Sequence, residues 1–449
     1  MNLYAAPARV NRVTDPSTAR AAEPAAAPPA VPRAAPPAAA RAVARRSPAR
    51  QGSLREHNLA LVLRHVLDAA GPAPGEGDPA GAPPSRADVA TATGLTRGAV
   101  SALVDLLIGA RLVAELPPAA TARAGRPAVP LVPASGTVVG LGAEVNVDYV
   151  GVRALDLAGE VLAHRETRGD FRHSDPARVL AVLAGLVGEV RAALPGAARL
   201  AGLCLALPGL VDRGTGPLRL APNLGWRDVD VVALLARHPE VDGLRVRLAN
   251  EANLAARAEA RAGAAGPSFL YVSGEVGIGA AIVLDGEVFA GRHGWSGELG
   301  HTVVDREGPV CTCGARGCLE QYAGKDALLR AAGLDVEEPV SALLDAAGAG
   351  DERSARALRS AGEALGLALA NFVNLVDVER VVLGGIYAPL APWLTDAVVA
   401  QLRTRVLAAA WEDARVGVAA GGAHAAMTGA ALVVLRAVAD DPAAWLPAA

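Results

Sequence analysis

The chain has 449 residues, 52% of them hydrophobic, and its 43 Lys and Arg against 46 Asp and Glu leave a formal net charge of −3. That length sets a prior of about two to four domains, and the charge balance excludes a globally basic surface, so any nucleic-acid contact has to come from a local patch. Four cysteines are too few for a disulfide-stapled secreted scaffold, no apolar run reaches the length of a membrane span, and no apolar signal-peptide segment opens the chain, so the expected location is the cytoplasm.

Residues 1–52 are mostly Ala, Pro and Arg, with eight Arg against Asp15 and Glu23. They offer little to bury, so a disordered arm is expected. Such an arm either adds non-specific attraction to DNA or is a low-complexity extension without a role.

Residues 53–134 change character. "LREHNLALVLRHVLDAA" has Leu59, Val62, Leu63, Val66 and Leu67 at helical spacing. After a Gly/Pro-rich loop at 71–84, Ser85 and Asp88 have capping-box spacing and predict a short helix to about Ala92. Thr93-Gly94-Leu95 predicts a tight turn, and Thr96 the cap of a second helix burying Val100, Leu103, Val104 and Leu107. The other face carries Arg97, Gly98, Ser101 and Ala102, small and polar groups able to approach bases and phosphates. Two short strands around a loop with Arg123 and Arg126 then form a wing suited to a minor groove. Arg86, Thr96, Arg97, Ser101, Arg123 and Arg126 are the candidate DNA contacts. Helix-turn-helix packing also occurs without DNA, and this segment is charge-balanced, so the order of elements carries the reading.

From about residue 135 strands alternate with helices. "GTVVGLGAEVNVDYVGVRALDLAGEVLAHRETR" predicts a three-stranded meander, and "PARVLAVLAGLVGEVRAAL" a helix. "LAGLCLALPGLVD" predicts a buried strand holding Cys204. "SFLYVSGEVGIGAAIVLDGEVF" predicts a hairpin, "SARALRSAGEALGLALANFVNLVDVERVVLGG" a long helix and a strand, and "GAHAAMTGAALVVLRAVA" a final helix. Two such α/β units around a cleft suit a small ligand.

"GELGHTVVDREGPVCTCGARGCLEQYAG" holds Cys311, Cys313 and Cys318 within eight residues. Gly314 and Gly317 let the backbone curl so that the sulfurs converge, and His301 can supply a fourth ligand. A Cys₃His set fits a closed, tetrahedral, structural Zn²⁺ site; the alternative is three reduced thiols.

These residues resemble the signature of the ROK family (repressors, open reading frames and sugar kinases): Cys311-Thr-Cys313-Gly314-Ala-Arg-Gly317-Cys318-Leu-Glu320-Gln-Tyr322, preceded by Gly297-Glu298-Leu-Gly300-His301. "GLTRGAVS" and "GRPAVPL" resemble the xylose-repressor branch. The resemblance implies an α/β chain: an N-terminal winged helix-turn-helix, then a two-lobed actin-like (ribonuclease H-like ATPase) sugar-binding and dimerisation domain over 135–449. It implies sugar contacts from Asn223 of "APNLGW", Asn250 and Glu251 of "NEAN", Glu298 and His301 of "GELGH", and Glu320 of "GCLE".

The family's kinases carry Asp-x-Gly-Gly-Thr on the first strand, where this chain has "GLGAEVNVDYV" at 140–150. Their Gly-Thr-Gly turn reads Gly274-Glu275-Val276, and their catalytic Asp is Glu251. A carboxylate beside a triphosphate repels it, and a displaced base is costly to rate. The expectation is a non-catalytic, sugar-responsive regulator, most simply a repressor. It would bind operator DNA as a homodimer, possibly a tetramer, be nucleoid-associated when bound, hold structural Zn²⁺ and have no membrane partner. The alternatives are an ATP-dependent sugar kinase with an appended DNA-binding domain and a regulator that senses a protein partner. Asn250, beside Glu251, also has the sequence of a plain helix N-cap.

Overall fold

The computed structural model describes residues 51–71, 82–117, 128–213, 216–410 and 414–447. Residues 1–50 of the arm expected over 1–52, most of the 71–84 loop, and Arg123 and Arg126 fall outside these; positions 51 and 52 belong to the first helix instead.

Helix α1 (Gln51–Ala69) buries Leu59, Val62, Leu63 and Val66, with Leu67 at the margin. Helix α2 (Arg86–Thr93) opens on the expected capping box: Asp88 N donates to Ser85 Oγ at 3.3 Å, and Ser85 N to Asp88 Oδ2 at 2.9 Å. Gly94 ends it at φ +72°, where a residue without Cβ is unstrained. Thr96 caps α3 (Arg97–Gly109), its Oγ1 accepting from Ala99 N at 3.3 Å, and Val100, Leu103, Val104 and Leu107 are buried. Strands β1 (Val113–Glu115) and β2 (Leu131–Pro133) pair antiparallel, with Ala114 opposite Val132.

The remaining elements build two five-stranded sheets. The first holds β3 (Val138–Val145), β4 (Tyr149–Asp156), β5 (Val161–Arg168), β6 (Arg199–Leu207) and β10 (Val246–Asn250), with α4 (Pro176–Ala193) between β5 and β6. A small ribbon of β7 (Leu210–Val211), β8 (Leu218–Ala221) and β9 (Trp226–Val229) and a short helix α5 (Val231–Leu235) precede β10, and α6 (Glu251–Ala262) follows it. The second holds β11 (Phe269–Gly274), β12 (Ile278–Leu284) and β13 (Glu287–Val288). Helices α7 (Glu320–Ala323), α8 (Lys325–Ala332), α9 (Val340–Gly348) and α10 (Glu352–Val376) come next, then β14 (Arg380–Gly385), α11 (Tyr387–Arg405), β15 (Arg415–Val418) and α12 (Ala425–Asp440).

Strand order is β10-β6-β3-β4-β5 in one sheet and β13-β12-β11-β14-β15 in the other. Each sheet is an antiparallel meander extended by two parallel strands. The central strand β3 is buried along its whole length, as a strand covered on both faces should be. Cys204 on β6 is buried, and desolvation pushes its thiol up to about 12.

Helix α12 joins these parts. A Cβ on Gly142 of β3 would lie 1.8 Å from the Met427 carbonyl, and one on Gly429 would lie 1.7 Å from the Leu254 carbonyl of α6. Only glycine permits either approach. Toward its other end, Ala431, Leu435, Val438 and Ala439 share one apolar cluster with α1, α2 and α3. The expected boundary near residue 134 is therefore bridged by a continuous core. Arg64 of α1 pairs with Asp440 at 2.6 Å, and Thr137 Oγ1 donates to the Arg111 carbonyl at 2.7 Å. Among the described residues, no single helix is long and apolar enough to cross a membrane.

Candidate functional site

All six residues expected to hold a sugar line one cavity between the two sheets: Asn223, Asn250, Glu251, Glu298, His301 and Glu320. They arrive from separate segments. Asn223 sits in the turn between β8 and β9, Asn250 ends β10, and Glu251 begins α6. Glu298 precedes and His301 ends a 3₁₀ turn (Leu299–His301), and Glu320 opens α7. Gly277 lies between two of them: a Cβ there would stand 2.8 Å from Glu320 Oε2 and 2.9 Å from Asn223 Nδ2. A side chain at 277 would displace both groups, a requirement no sequence motif announced.

The question posed by "NEAN" has a geometric answer. Asn250 Oδ1 accepts from Ala252 N at 2.9 Å and Asn253 N at 3.1 Å, the bonding of an N-cap. Its Nδ2 donates to the Gly209 carbonyl at 3.2 Å and to Glu251 Oε2 at 3.0 Å. Both hydrogens and the oxygen are committed. Asn250 thus lines the cavity and positions Glu251, so the N-cap reading stands beside its expected role as a sugar contact. Burial pushes the Glu251 carboxyl well above the ordinary range, and the nearby charges of Glu298, Glu144 and Glu275 add to this.

Glu298 is likewise raised by burial, with His301 opposing and Glu320 reinforcing the shift. Glu320 is raised by burial, against a bond from the Ile278 backbone that lowers it.

His301 faces two ways. Its Nε2 lies 4.0 Å from Glu298 Oε2, and its Nδ1 lies 3.8 Å from Cys311 Sγ. Cys313 Sγ and Cys318 Sγ are 3.7 Å apart, and the four donor atoms all lie within 4.8 Å of one another. Tetrahedral Zn–S bonds of about 2.3 Å separate sulfurs by about 3.8 Å, so the donors fit a zinc ion. Burial and the two neighbouring thiols push Cys318 up to about 12, a cost that a cation displacing the protons would remove. Gly317 is needed for the curl, since a Cβ on it would lie 1.5 Å from the Asp305 carbonyl. Cys311 Sγ also lies 3.9 Å from Glu320 Oε1, so the cysteine loop abuts the cavity through His301 and Glu320.

A second cavity of about 500 Å³ adjoins the first and shares Glu251, Ser273 and Glu275 with it. Its wall carries three carboxylates, Glu144, Glu251 and Glu275, beside Gly384 and Gly385. Burial pushes Glu144 to about 7, and burial together with Glu144 and Asp148 pushes Glu275 to about 8.

At the helix-turn-helix segment, Thr96 and Arg97 are exposed and Ser101 is half-buried on the outer face of α3. Arg86 is engaged elsewhere. It contacts Asp105 at 2.7 Å and Glu115 at 3.0 Å, and donates to the Ser101 carbonyl at 3.1 Å, bracing α2 against α3 and β1. This structural engagement, which spacing along the chain could not reveal, stands beside its expected role at DNA.

The sequence profile of the ROK family matches residues 141–437. The xylose repressor of Bacillus spizizenii is 29% identical over 363 residues, covering 80% of this chain and 89% of that protein. The DNA-binding transcriptional repressor Mlc of Escherichia coli is 25% identical over 406 residues, covering 87% and 96%. The crystal structure of a ROK family transcriptional regulator, a homologue of the E. coli Mlc protein, superposes with a TM-score of 0.69 at 26% identity, covering 86% of this chain and 97% of that one.

Proposed function

The chain belongs to the ROK family, and on that premise we propose that it is a DNA-binding transcriptional repressor of carbohydrate-metabolism genes whose operator affinity is set by a sugar. The observation that carries the reading is the convergence of Asn223, Glu251, Glu298, His301 and Glu320 on one cavity. Carboxyls, an amide and an imidazole can satisfy several hydroxyls in a fixed geometry, and an analogue lacking those hydroxyls would leave the groups unpaired. Asn250 holds Glu251 in place. A structural Zn²⁺ on His301, Cys311, Cys313 and Cys318 would orient His301 and the loop bearing Glu320.

Residues 53–134 act as a winged helix-turn-helix, with Thr96, Arg97 and Ser101 toward the major groove; Arg123 and Arg126, which follow β1 in the sequence, are the minor-groove candidates. The domain over 135–449 holds the sugar and the homodimer contacts. The route between them is α12, whose neighbours include α6, which Glu251 begins, and the core of α1–α3. A sugar that closes the cavity shifts α6 against α12 and thereby the two DNA-binding heads. Operator affinity then falls by the coupling free energy, and DNA weakens sugar binding by the same factor.

Phosphoryl transfer is not part of the reading. Among the described residues, the cavity beside the sugar site is lined by the acidic side chains Glu144, Glu251 and Glu275 and by no Lys or Arg, so it lacks the cationic partner that phosphoryl transfer uses to hold a triphosphate. The test is operator binding to the gene's own upstream DNA, followed by anisotropy with a panel of pentoses and hexoses that includes xylose. Release by one sugar, matched by heat on mixing that sugar with the protein alone, supports the reading. ATP-dependent phosphorylation of a sugar, lost in Glu251→Gln, would replace it with the kinase alternative.

A further inference from the structure

A second set of metal-ligating side chains lies away from the cysteine loop. His164 and Glu166 are two apart on β5, so they share a face of this edge strand, and His424 immediately precedes α12. His164 Nε2 is 3.9 Å from Glu166 Oε2, and His424 Nδ1 is 3.7 Å from the same oxygen. The two rings stand 4.5 Å apart, and one ligand atom from each residue falls within a 4.8 Å set. Glu166 Oε1 is held by Arg168 Nε at 3.2 Å, which leaves Oε2 toward the imidazoles. The Nδ1 atoms of both histidines are buried without a hydrogen-bond partner, an arrangement that costs free energy unless something binds.

We propose that His164, Glu166 and His424 bind a late first-row divalent cation such as Zn²⁺ or Ni²⁺. Two imidazoles and a carboxylate, with positions left for water, form a donor set that such ions accept. Bonds of about 2.0–2.2 Å place donor atoms about 3.0–3.5 Å apart, so the side chains have to close by roughly 1 Å. Arg168 acts as the partner that orients the carboxylate. Arg153, which faces His164 across the β4–β5 register and donates to Thr428 Oγ1 at 3.2 Å, adds positive charge and moderates the affinity.

The position gives the ion a role. Residues 419–424 carry the chain from β15 of the second sheet to α12, which packs on the first. An ion on His424 pins the start of α12 to the edge of the first sheet. It thereby stiffens the helix that lies between the sugar cavity and the DNA-binding segment.

The test uses the untagged full chain, loaded with Zn²⁺ or Ni²⁺, desalted and assayed for metal by mass spectrometry, with Ni²⁺ titration by calorimetry. His164→Ala and His424→Ala are each expected to lower the stoichiometry by one ion per chain, whatever the cysteine cluster holds. Glu166→Gln is expected to weaken that ion roughly tenfold or more. In a Cys313→Ser, Cys318→Ser background the ion stays, and Co²⁺ bound there gives a spectrum without thiolate charge transfer. Wild-type stoichiometry and affinity in a folded His164→Ala, His424→Ala double variant would overturn the proposal. So would the absence of any bound ion in the cysteine double variant with a wild-type circular dichroism spectrum. If the alanine variants misfold, His164→Gln and Glu166→Gln, close in shape to the originals, are read by the same measure.

Discussion

The two sheets share a strand order but not a task. Each presents the turn of its first hairpin to the cleft: Asn146 and Val147 from β3–β4, and Glu275, Val276 and Gly277 from β11–β12. Each also contributes a glutamate to the adjoining cavity, buried Glu144 beside the first turn and half-buried Glu275 within the second. Beyond this they diverge. The second sheet is followed by the loop that holds Glu298, His301 and the three cysteines, while the first contacts α12 and, with it, the core of α1–α3. On the proposed reading, one repeated architecture serves as a ligand clamp on one side and as an output surface on the other. The difference lies in what is inserted into or docked upon each sheet, not in the sheets themselves.

The largest expected effect tests the output side. Gly142→Val drives a branched side chain into the Met427 backbone, where even a Cβ would sit at 1.8 Å. It should cost roughly 3 kcal/mol or more of stability by overpacking, seen as a drop in the denaturant midpoint. A variant as stable as wild type would mean that α12 does not rest on β3 as described.

On the clamp side, Cys318→Ser should lower the zinc retained after dialysis by one ion per chain. Apparent structural-zinc affinities are worth roughly 10–16 kcal/mol, so the loop should loosen and sugar binding fall by about 100-fold or more. An unchanged zinc stoichiometry would remove the cysteines from the site.

The paired glutamates sharpen the comparison through pH. Both folded-state values lie above the ordinary 4.5, at about 7 for Glu144 and about 8 for Glu275. The folded chain therefore binds more protons than the unfolded chain between about pH 4.5 and 8. The stability contributed by these protons is complete below about 4.5 and is lost as pH rises through 7 and then 8. Each group contributes a slope of at most about 1.4 kcal/mol per pH unit inside its window. Glu275→Gln and Glu144→Gln should each flatten the melting temperature against pH above 5, Glu275→Gln over the wider range. Glu144→Gln should also lower the value of Glu275, since the Glu144 charge raises it. Parallel pH profiles for wild type and both variants would contradict the assignment.

The smallest effect separates positioning from contact. Asn250→Ala loses an N-cap, worth about 1 kcal/mol, and frees Glu251. Asn250→Asp keeps the cap but cannot donate to Glu251. Calorimetry should show weakened sugar binding in both and a stability loss mainly in the first. Full affinity in Asn250→Asp would mean that the Nδ2 bond to Glu251 does not matter.

Much of the fold was legible because its signals are local. Ser85, Asp88, Gly94 and Thr96 fix two helices through bonds within three or four residues, and all four act as their spacing predicts. The meander, the hairpin and α10 followed from periodicity in the same way. The cysteine cluster was legible because three of its four ligands share one short loop, where glycines dictate the curl. The ion pairs of Arg86 were not legible, because an arginine at a helix start has the same spacing whether it faces a phosphate or, as here, Asp105 and Glu115.

What the sequence determined by itself, then, is the set of parts whose partners lie within a turn or a loop: caps, strands, the zinc-ligand spacing and the family motifs. Only the tertiary structure decided which parts meet. Folding brings Asn223, Glu251 and Glu320 to one wall, saturates the Asn250 amide, crowds three carboxylates into one cavity and sets His424 against His164 and Glu166. Those outcomes depend on packing between segments far apart in the chain, with α12 against β3 and α6 through glycines, and no local propensity encodes such contacts.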